Sequence, residues 1–181
     1  MTDNKNTVTG EVTAVISVEG FGDIKLELYP EIAPQSVYNF VYLARQGFYD
    51  GLIFHRISKG FVIQGGGYTP DGTHKEGDYT IRGEFAANGI QNSISHERGV
   101  ISWARTSVYD SATSQFFICL DTAKTQQLDG LYAGFGRVIE GMDVVDAIAA
   151  VDVQGEVPLQ DIIITTVTIS GPELPEPDFL R

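Results

Sequence analysis

FHRISKGFVIQG, residues 54–65, sets a histidine and an arginine side by side among aromatic and aliphatic residues and closes on a glutamine and a glycine. Two strand candidates, residues 52–57 and 61–64, run through it. A guanidinium is always ionised and strongly hydrated, so one held in apolar surroundings points to a polar partner or to a function. His55 and Arg56 are therefore the first candidate functional residues. Taken alone, the dipeptide also fits an ordinary strand with one surface cation.

Two later segments bear on that choice. In SATSQFFICL, residues 111–120, strand alternation puts Gln115 and Phe117 on one face and Phe116 and Ile118 on the other, so an amide and an aromatic ring line one surface together. In LDGLYAGFGRVIEGMDVV, residues 128–145, Leu128 and Tyr132 flank a glycine-rich turn that precedes a helical stretch.

The flanking sequence supplies the architecture. Val12, Ala14, Ile16 and Val18 alternate with polar or small neighbours, and Ile24, Leu26 and Leu28 do the same after the Gly20-Phe21-Gly22-Asp23 turn. That pattern predicts an antiparallel hairpin with one wet face. Over residues 34–46, Val37, Phe40, Val41 and Ala44 recur at three- and four-residue steps, an amphipathic helix that Gly47 stops. A shorter helix is expected over 142–149, with Met142, Val145 and Ile148 on one face. The other patterned segments, 99–104, 116–120, 134–138 and 161–169, read as strands. Many short strands and only two helices favour a closed or nearly closed β-barrel capped at its ends. Residues 65–85 read as a long irregular excursion of the kind that serves binding.

At 181 residues and 43% hydrophobic, the chain suits one domain, expected over 11–170, between a polar tail at 1–10 and an extended, proline-rich acidic tail at 171–181. MTDNKNTVTG lacks the apolar stretch that export requires, and no run reaches membrane-spanning length. Cys119, the only cysteine, has no internal disulfide partner and is expected to face the core, so the cytoplasm is the expected compartment. A net charge of −12 without a basic patch argues against nucleic acid and reads as solubility. His55, His74 and His96 lack the spacing of a metal site, and no activated serine or cysteine stands out.

In this order and spacing the three segments resemble the cyclophilins, a family of peptidyl-prolyl cis-trans isomerases, over about Thr13 to Ile169. The resemblance implies a mainly β fold, a closed antiparallel eight-stranded β-barrel capped by two α-helices. It implies an enzyme that speeds rotation about Xaa-Pro bonds in unfolded or extended segments, assists folding and uses no cofactor. Its partners would be proline-containing peptides and unfolded proteins, and it would act as a monomer. By that resemblance Arg56 is the catalytic arginine, His55 its neighbour lining the site, and Gln64 the residue that orients Arg56 and meets the substrate backbone. Phe61, Val62, Phe117, Leu128 and Tyr132 would form the pocket for the proline ring. Ala104, Arg105 and Thr106 resemble the strand edge that receives the substrate backbone, with Arg105 as a cationic rim and Gln115 completing a polar frame.

Two positions depart from the family pattern. Gln127 stands where many cyclophilins carry tryptophan, and Tyr132 where they often carry histidine. The absent indole removes a donor and a flat apolar surface used to bind cyclosporin, so weak binding of that drug is expected. The SVYDSAT loop after Thr106 has the longer form associated with bacterial members.

The implied chemistry needs no bond to form or break. Resonance sets a barrier of about 18–20 kcal/mol to rotation, and the twisted amide returns a lone pair to the proline nitrogen that a donor can meet. Arg56 is such a donor and keeps its proton, whereas isomerisation requires no general base, which leaves His55 either a site-lining or a packing residue. Two other readings stay open on sequence: a proline-peptide-binding scaffold or chaperone with little turnover, and a small-ligand β-barrel of unrelated chemistry.

Overall fold

The alternation at the start of the chain builds a hairpin whose inward residues form one wall of the core. In the computed structural model, which describes residues 11–181, β1 (Val12–Val18) alternates buried and half-buried positions and pairs antiparallel with β2 (Gly22–Leu28). The tail expected over 1–10 lies outside the described residues.

Pro34 opens α1 (Pro34–Arg45), where its missing N–H costs no helical bond. Ala33 before it has no capping side chain. The cap comes from elsewhere in the chain: the buried Glu84 carboxylate accepts the Ser36 N–H at 2.6 Å, and its charge suits the positive end of the helix. The buried face of α1 places Phe40 in van der Waals reach of Tyr49, Trp103, Phe116 and Phe135, with ring centroids 5.5, 6.2, 5.9 and 5.5 Å away. Burying one such ring is worth about 1.5–3 kcal/mol, so this cluster ties helix to sheet. Gly47, at φ 68°, ends the helix in the left-handed conformation that glycine adopts without strain.

The remaining elements are β3 (Arg56–Ser58), β4 (Val62–Gly65), β5 (Val100–Trp103), β6 (Phe116–Cys119), α2 (Thr122–Thr125), β7 (Gly134–Glu140), α3 (Met142–Ala149), β8 (Val153–Gln154), β9 (Val157–Pro158) and β10 (Ile164–Ser170). Eight strands form one antiparallel sheet in the order β10-β1-β2-β7-β5-β6-β4-β3, while β8 and β9 make a separate hairpin.

Three expectations need correction. The sheet curls into a half-barrel, and a fully closed barrel is not shown: between the outer strands β10 and β3 there is no ladder, only an isolated bridge, Ile53 to Ile163. The segment expected as a strand over 52–57 is regular only at β3, because residues 51–54 bond across to Ile162 and Ile164 instead of extending the β3–β4 ladder. The α-helices number three among the described residues, not two, with short 3₁₀ turns at Ala86–Asn88 and Gln126–Leu128 besides; α2 is a single turn, too short for periodicity to reveal, and Asp121 caps it by accepting the Ala123 N–H at 3.0 Å. The β8–β9 hairpin was not anticipated either. Residues 66–85 carry only isolated bridges, at Tyr68, His74, Thr80 and Ile81. The tail at 171–181 has no helix or ladder, but Leu180 bridges to Thr80 and Phe179 packs edge-on against Tyr42 and Tyr79.

Candidate active site

Strand register assembles the site. Arg56 lies opposite Gln64, Gln64 opposite Phe117, and Phe117 opposite Ser102, a row crossing β3, β4, β6 and β5 on one face of the sheet. The next row, Ile57, Ile63, Ile118 and Ile101, points the other way into the main core. Because side chains alternate with period two, the ladder that buries four isoleucines must present the arginine, the glutamine and the phenylalanine together. On that second face Val62, Val100, Phe117 and Cys119 form a small apolar cluster of their own, with Phe61, Ala104, Leu128 and Tyr132 packed against it.

These residues enclose a cavity of about 150 Å³ lined by Arg56, Phe61, Val62, Gln64, Ala104, Arg105, Phe117, Leu128 and Tyr132. Pockets for drug-sized ligands are usually about 300–1,000 Å³, so this recess suits one small ring. A second cavity of about 300 Å³ adjoins it, sharing Gln64, Ala104 and Arg105 and adding Tyr68, His74, Glu76, Thr106, Ser111, Thr113 and Gln115. The first recess sets the apolar side chains of Phe61, Val62, Phe117, Leu128 and Tyr132 against the polar heads of Arg56, Gln64 and Arg105, whereas its neighbour is lined mainly by polar residues.

Arg56 is held from two sides. Its Nη1 donates to Gln64 Oε1 at 3.0 Å, and Gln64 Nε2 donates on to Gln115 Oε1 at 2.9 Å. Such a relay polarises each member and fixes the amides in one orientation. On the other edge, Nε and Nη2 donate to the two carboxylate oxygens of Glu156, each at 3.2 Å. The hydrogen bonds from Arg56 and Ser58 hold the Glu156 carboxyl below its ordinary range. Gln115 needs room for its part of the relay, and Gly67 leaves it: a methyl group there would lie 2.5 Å from the glutamine side chain.

The other sequence candidates divide. His55 is absent from the cavity lining and faces the opposite way from Arg56, its ring tilted against that of Tyr68 with centroids 4.6 Å apart, beside Phe54 and Pro158. Burial, then the neighbouring Arg56 and His74, push it down to about 4, so it is neutral at pH 7. Arg105 stacks at 4.9, 5.1 and 4.5 Å from the centroids of Phe85, Tyr109 and Tyr132, and its Nε donates to the Leu131 carbonyl. It thereby braces Tyr132, whose ring meets Phe117 edge-on at 5.7 Å. Thr106 lies in the polar cavity only, where its N–H and that of Ala104 are already bonded, to Ser111 Oγ and Gln115 O. Gln127 is exposed and lines neither cavity. Cys119 is buried in the core as expected, within the small apolar cluster, and burial raises its thiol to about 12, which makes it inert.

Two features escaped the sequence reading. Glu156 is separated from Arg56 by 100 residues and reaches it only through the β8–β9 hairpin. Behind Phe117, His96 sits with Nδ1 2.9 Å from Asp129 Oδ1 and Nε2 2.9 Å from Ser102 Oγ, the order of a nucleophilic triad. Ser102 and His96 are both 0% exposed, so no substrate carbonyl reaches the hydroxyl. Burial lowers the pKa of His96 against the opposing pull of Asp129, and the neutral ring stacks on Phe117 at 6.2 Å. This chain of bonds supports the pocket floor.

A curled sheet thus fixes a guanidinium beside a ring-sized recess with apolar walls, while the triad-like Ser102 is sealed away from substrate. Comparison with known proteins identifies the family. The model of the cyclophilin-type peptidyl-prolyl cis-trans isomerases matches residues 4–169. Peptidyl-prolyl cis-trans isomerase A of Dickeya dadantii is 42% identical over 165 residues, covering 90% of this chain and 84% of that protein. Peptidyl-prolyl cis-trans isomerase B of Escherichia coli is 41% identical over 160 residues, covering 82% and 94%. Among solved structures, a Cryptosporidium parvum cyclophilin-type isomerase superposes with a TM-score of 0.75 at 27% identity, covering 91% of this chain and 100% of that one. The same protein in the presence of the dipeptide Ala-Pro gives 0.73 at 28% identity, covering 88% and 99%. The chain belongs to the cyclophilin-type peptidyl-prolyl cis-trans isomerase family.

Proposed function

We propose that this cyclophilin-type isomerase seats the proline ring of an extended segment among Phe61, Val62, Phe117, Leu128 and Tyr132 while Arg56 donates to the amide as it twists. The observation that carries this reading is the placement of Arg56 in the wall of the recess, held by Gln64 and Glu156. As the Xaa-Pro amide leaves planarity, its nitrogen regains a lone pair, and a preset cation favours that state over the planar ones. Gln64 orients the guanidinium and Gln115 orients Gln64. Residues preceding the proline lie across the polar cavity, against the edge formed by Ala104, Arg105 and Thr106. His55 packs behind this wall and exchanges no proton in the cycle.

Unfolded and extended protein segments rich in proline are the substrates this groove fits, and the structural neighbour studied with Ala-Pro supports that class. The catalytic unit is a single domain over residues 11–170, acting as a monomer. Among the described residues no helix is long and apolar enough to cross a membrane. The lone Cys119 supports a reducing compartment, and we place the protein in the cytoplasm.

The test is the exchange rate of a short Xaa-Pro peptide, measured by magnetisation transfer with native and Arg56→Ala protein. A charge-assisted hydrogen bond worth about 1.5–3 kcal/mol predicts a loss of about 10- to 150-fold in the variant. Equal rates would refute the role of Arg56. The exposed Gln127, standing where many cyclophilins carry an indole, favours one second reading, a scaffold with little turnover. A native protein that binds proline peptides without speeding their exchange would establish it.

A further inference from the structure

We propose that Glu156 is a positioning residue for the isomerisation, presenting Arg56 to the substrate in one fixed plane. The proposal rests on the reading of Arg56 as the catalytic donor.

β8 and β9 pair Val153 with Pro158 and Gln154 with Val157, which leaves Gly155 and Glu156 as a two-residue loop. Gly155 has φ 65°, and glycine at the first central position is what one of the favoured hairpin turns requires. The hairpin is docked beside the catalytic strand, because the Glu156 carbonyl accepts the N–H of Ile57 at 2.8 Å. That bond lies one residue from Arg56, so the Glu156 backbone is anchored beside the guanidinium that its carboxylate meets.

A guanidinium has five N–H donors in a planar fork. Glu156 takes the Nε hydrogen and one Nη2 hydrogen at 3.2 Å each, and Gln64 takes one from Nη1 at 3.0 Å. Each terminal nitrogen keeps one hydrogen for the substrate. Gln64 alone is a single-point contact about which the fork can swing; the two-point contact with Glu156 sets the plane. The Ser58 hydroxyl, two residues along β3 from Arg56 and on the same face, steadies the same carboxylate. Both side chains of the ion pair are partly exposed, 36% for Arg56 and 49% for Glu156, so its effect is modest and sensitive to salt.

The test compares Glu156→Ala, Glu156→Gln, Arg56→Ala and the double variant Arg56→Ala/Glu156→Ala, with kcat and KM for an Xaa-Pro peptide obtained separately. Glu156→Ala is expected to lower kcat about two- to fivefold, the range that an exposed pair of up to about 1 kcal/mol converts to, with KM nearly unchanged. Glu156→Gln, which keeps an acceptor of the same shape, is expected to recover part of the loss, and its kcat is expected to depend less on salt than that of the native protein. The double variant is expected to match Arg56→Ala, since Glu156 acts through the guanidinium. Unchanged or raised kcat in Glu156→Ala, with Arg56→Ala impaired, would overturn the positioning role and leave the isomerase reading intact. A double variant clearly slower than Arg56→Ala would overturn it as well. If Arg56→Ala itself is unimpaired, the reading of Arg56 fails first.

Discussion

Replacing Arg56 by lysine separates charge from geometry at the candidate donor. The guanidinium serves Gln64 and both oxygens of Glu156 at 3.0, 3.2 and 3.2 Å while lining the recess. An ammonium is a point charge whose three hydrogens leave one atom, so it cannot span Gln64 and Glu156 and still face the substrate. The variant therefore keeps the charge and loses the aimed hydrogen bond. Bonds to charged groups are worth about 1.5–3 kcal/mol. With the Arg56 side chain 36% exposed, solvent screening places the loss at the lower end. About 1.5–2 kcal/mol corresponds to a fall of about ten- to thirtyfold in kcat/KM. Magnetisation transfer on a short Xaa-Pro peptide, with Arg56→Ala alongside, measures it directly, and thermal melting of each variant controls for folding. Arg56→Lys should resemble Arg56→Ala more than the native enzyme. A lysine variant that kept more than about half of native turnover would show that positive charge near the recess suffices, and the argument from the planar fork would be wrong.

Three further outcomes are expected. His55 is neutral in the folded protein, with its pKa brought from 6.5 to about 4 by burial and then by Arg56 and His74, so the unfolded chain binds the extra proton. Stability from this group is present above pH 6.5 and is lost as pH falls toward 4; the limit of about 3 kcal/mol, discounted for partial exposure, becomes about 1–2 kcal/mol. Urea unfolding at pH 7 and pH 5 should show a smaller loss in His55→Phe than in the native protein, with some slope kept because the buried His96 shifts in the same direction; an unchanged slope would remove His55 from the account. Glu84→Ala orphans the Ser36 N–H at the start of α1 and should cost about 1–3 kcal/mol in chemical denaturation, a result that a change below about 0.5 kcal/mol would contradict. Weak cyclosporin binding is expected because the exposed Gln127 offers no indole, and Gln127→Trp should tighten it; tight inhibition of the native protein in a titration would refute this.

How far the sequence reaches is clearest at the two rows of the sheet. The alternation in residues 54–65 and 111–120 already separates Arg56, Gln64 and Phe117 from Ile57, Ile63 and Ile118, because period two is a local property of an extended chain. The helix over Met142–Ala149 and the start of α1 at Pro34 were equally legible, from periodicity and from a proline that suits a first turn. The single turn of α2 and the β8–β9 hairpin were not, since elements of two to four residues carry no period to read. Most of the recess was legible through the motifs: Arg56, Phe61, Val62, Gln64, Ala104, Arg105, Phe117, Leu128 and Tyr132 do line one cavity. His55, Thr106, Gln115 and Gln127 lie outside it, in places that depend on which way a strand or loop turns.

By itself, then, the sequence determined which residues share a face, where the helices of useful length begin, and that a cation belongs among apolar rings, because each of these follows from contacts or preferences within a few residues. Only the tertiary structure decided that the sheet remains a half-barrel, that Glu84 caps a helix 48 residues away, and that Glu156 grips Arg56 across 100 residues. Those pairings arise when the packed core brings distant segments to within hydrogen-bonding distance, and no local pattern encodes the distance between them.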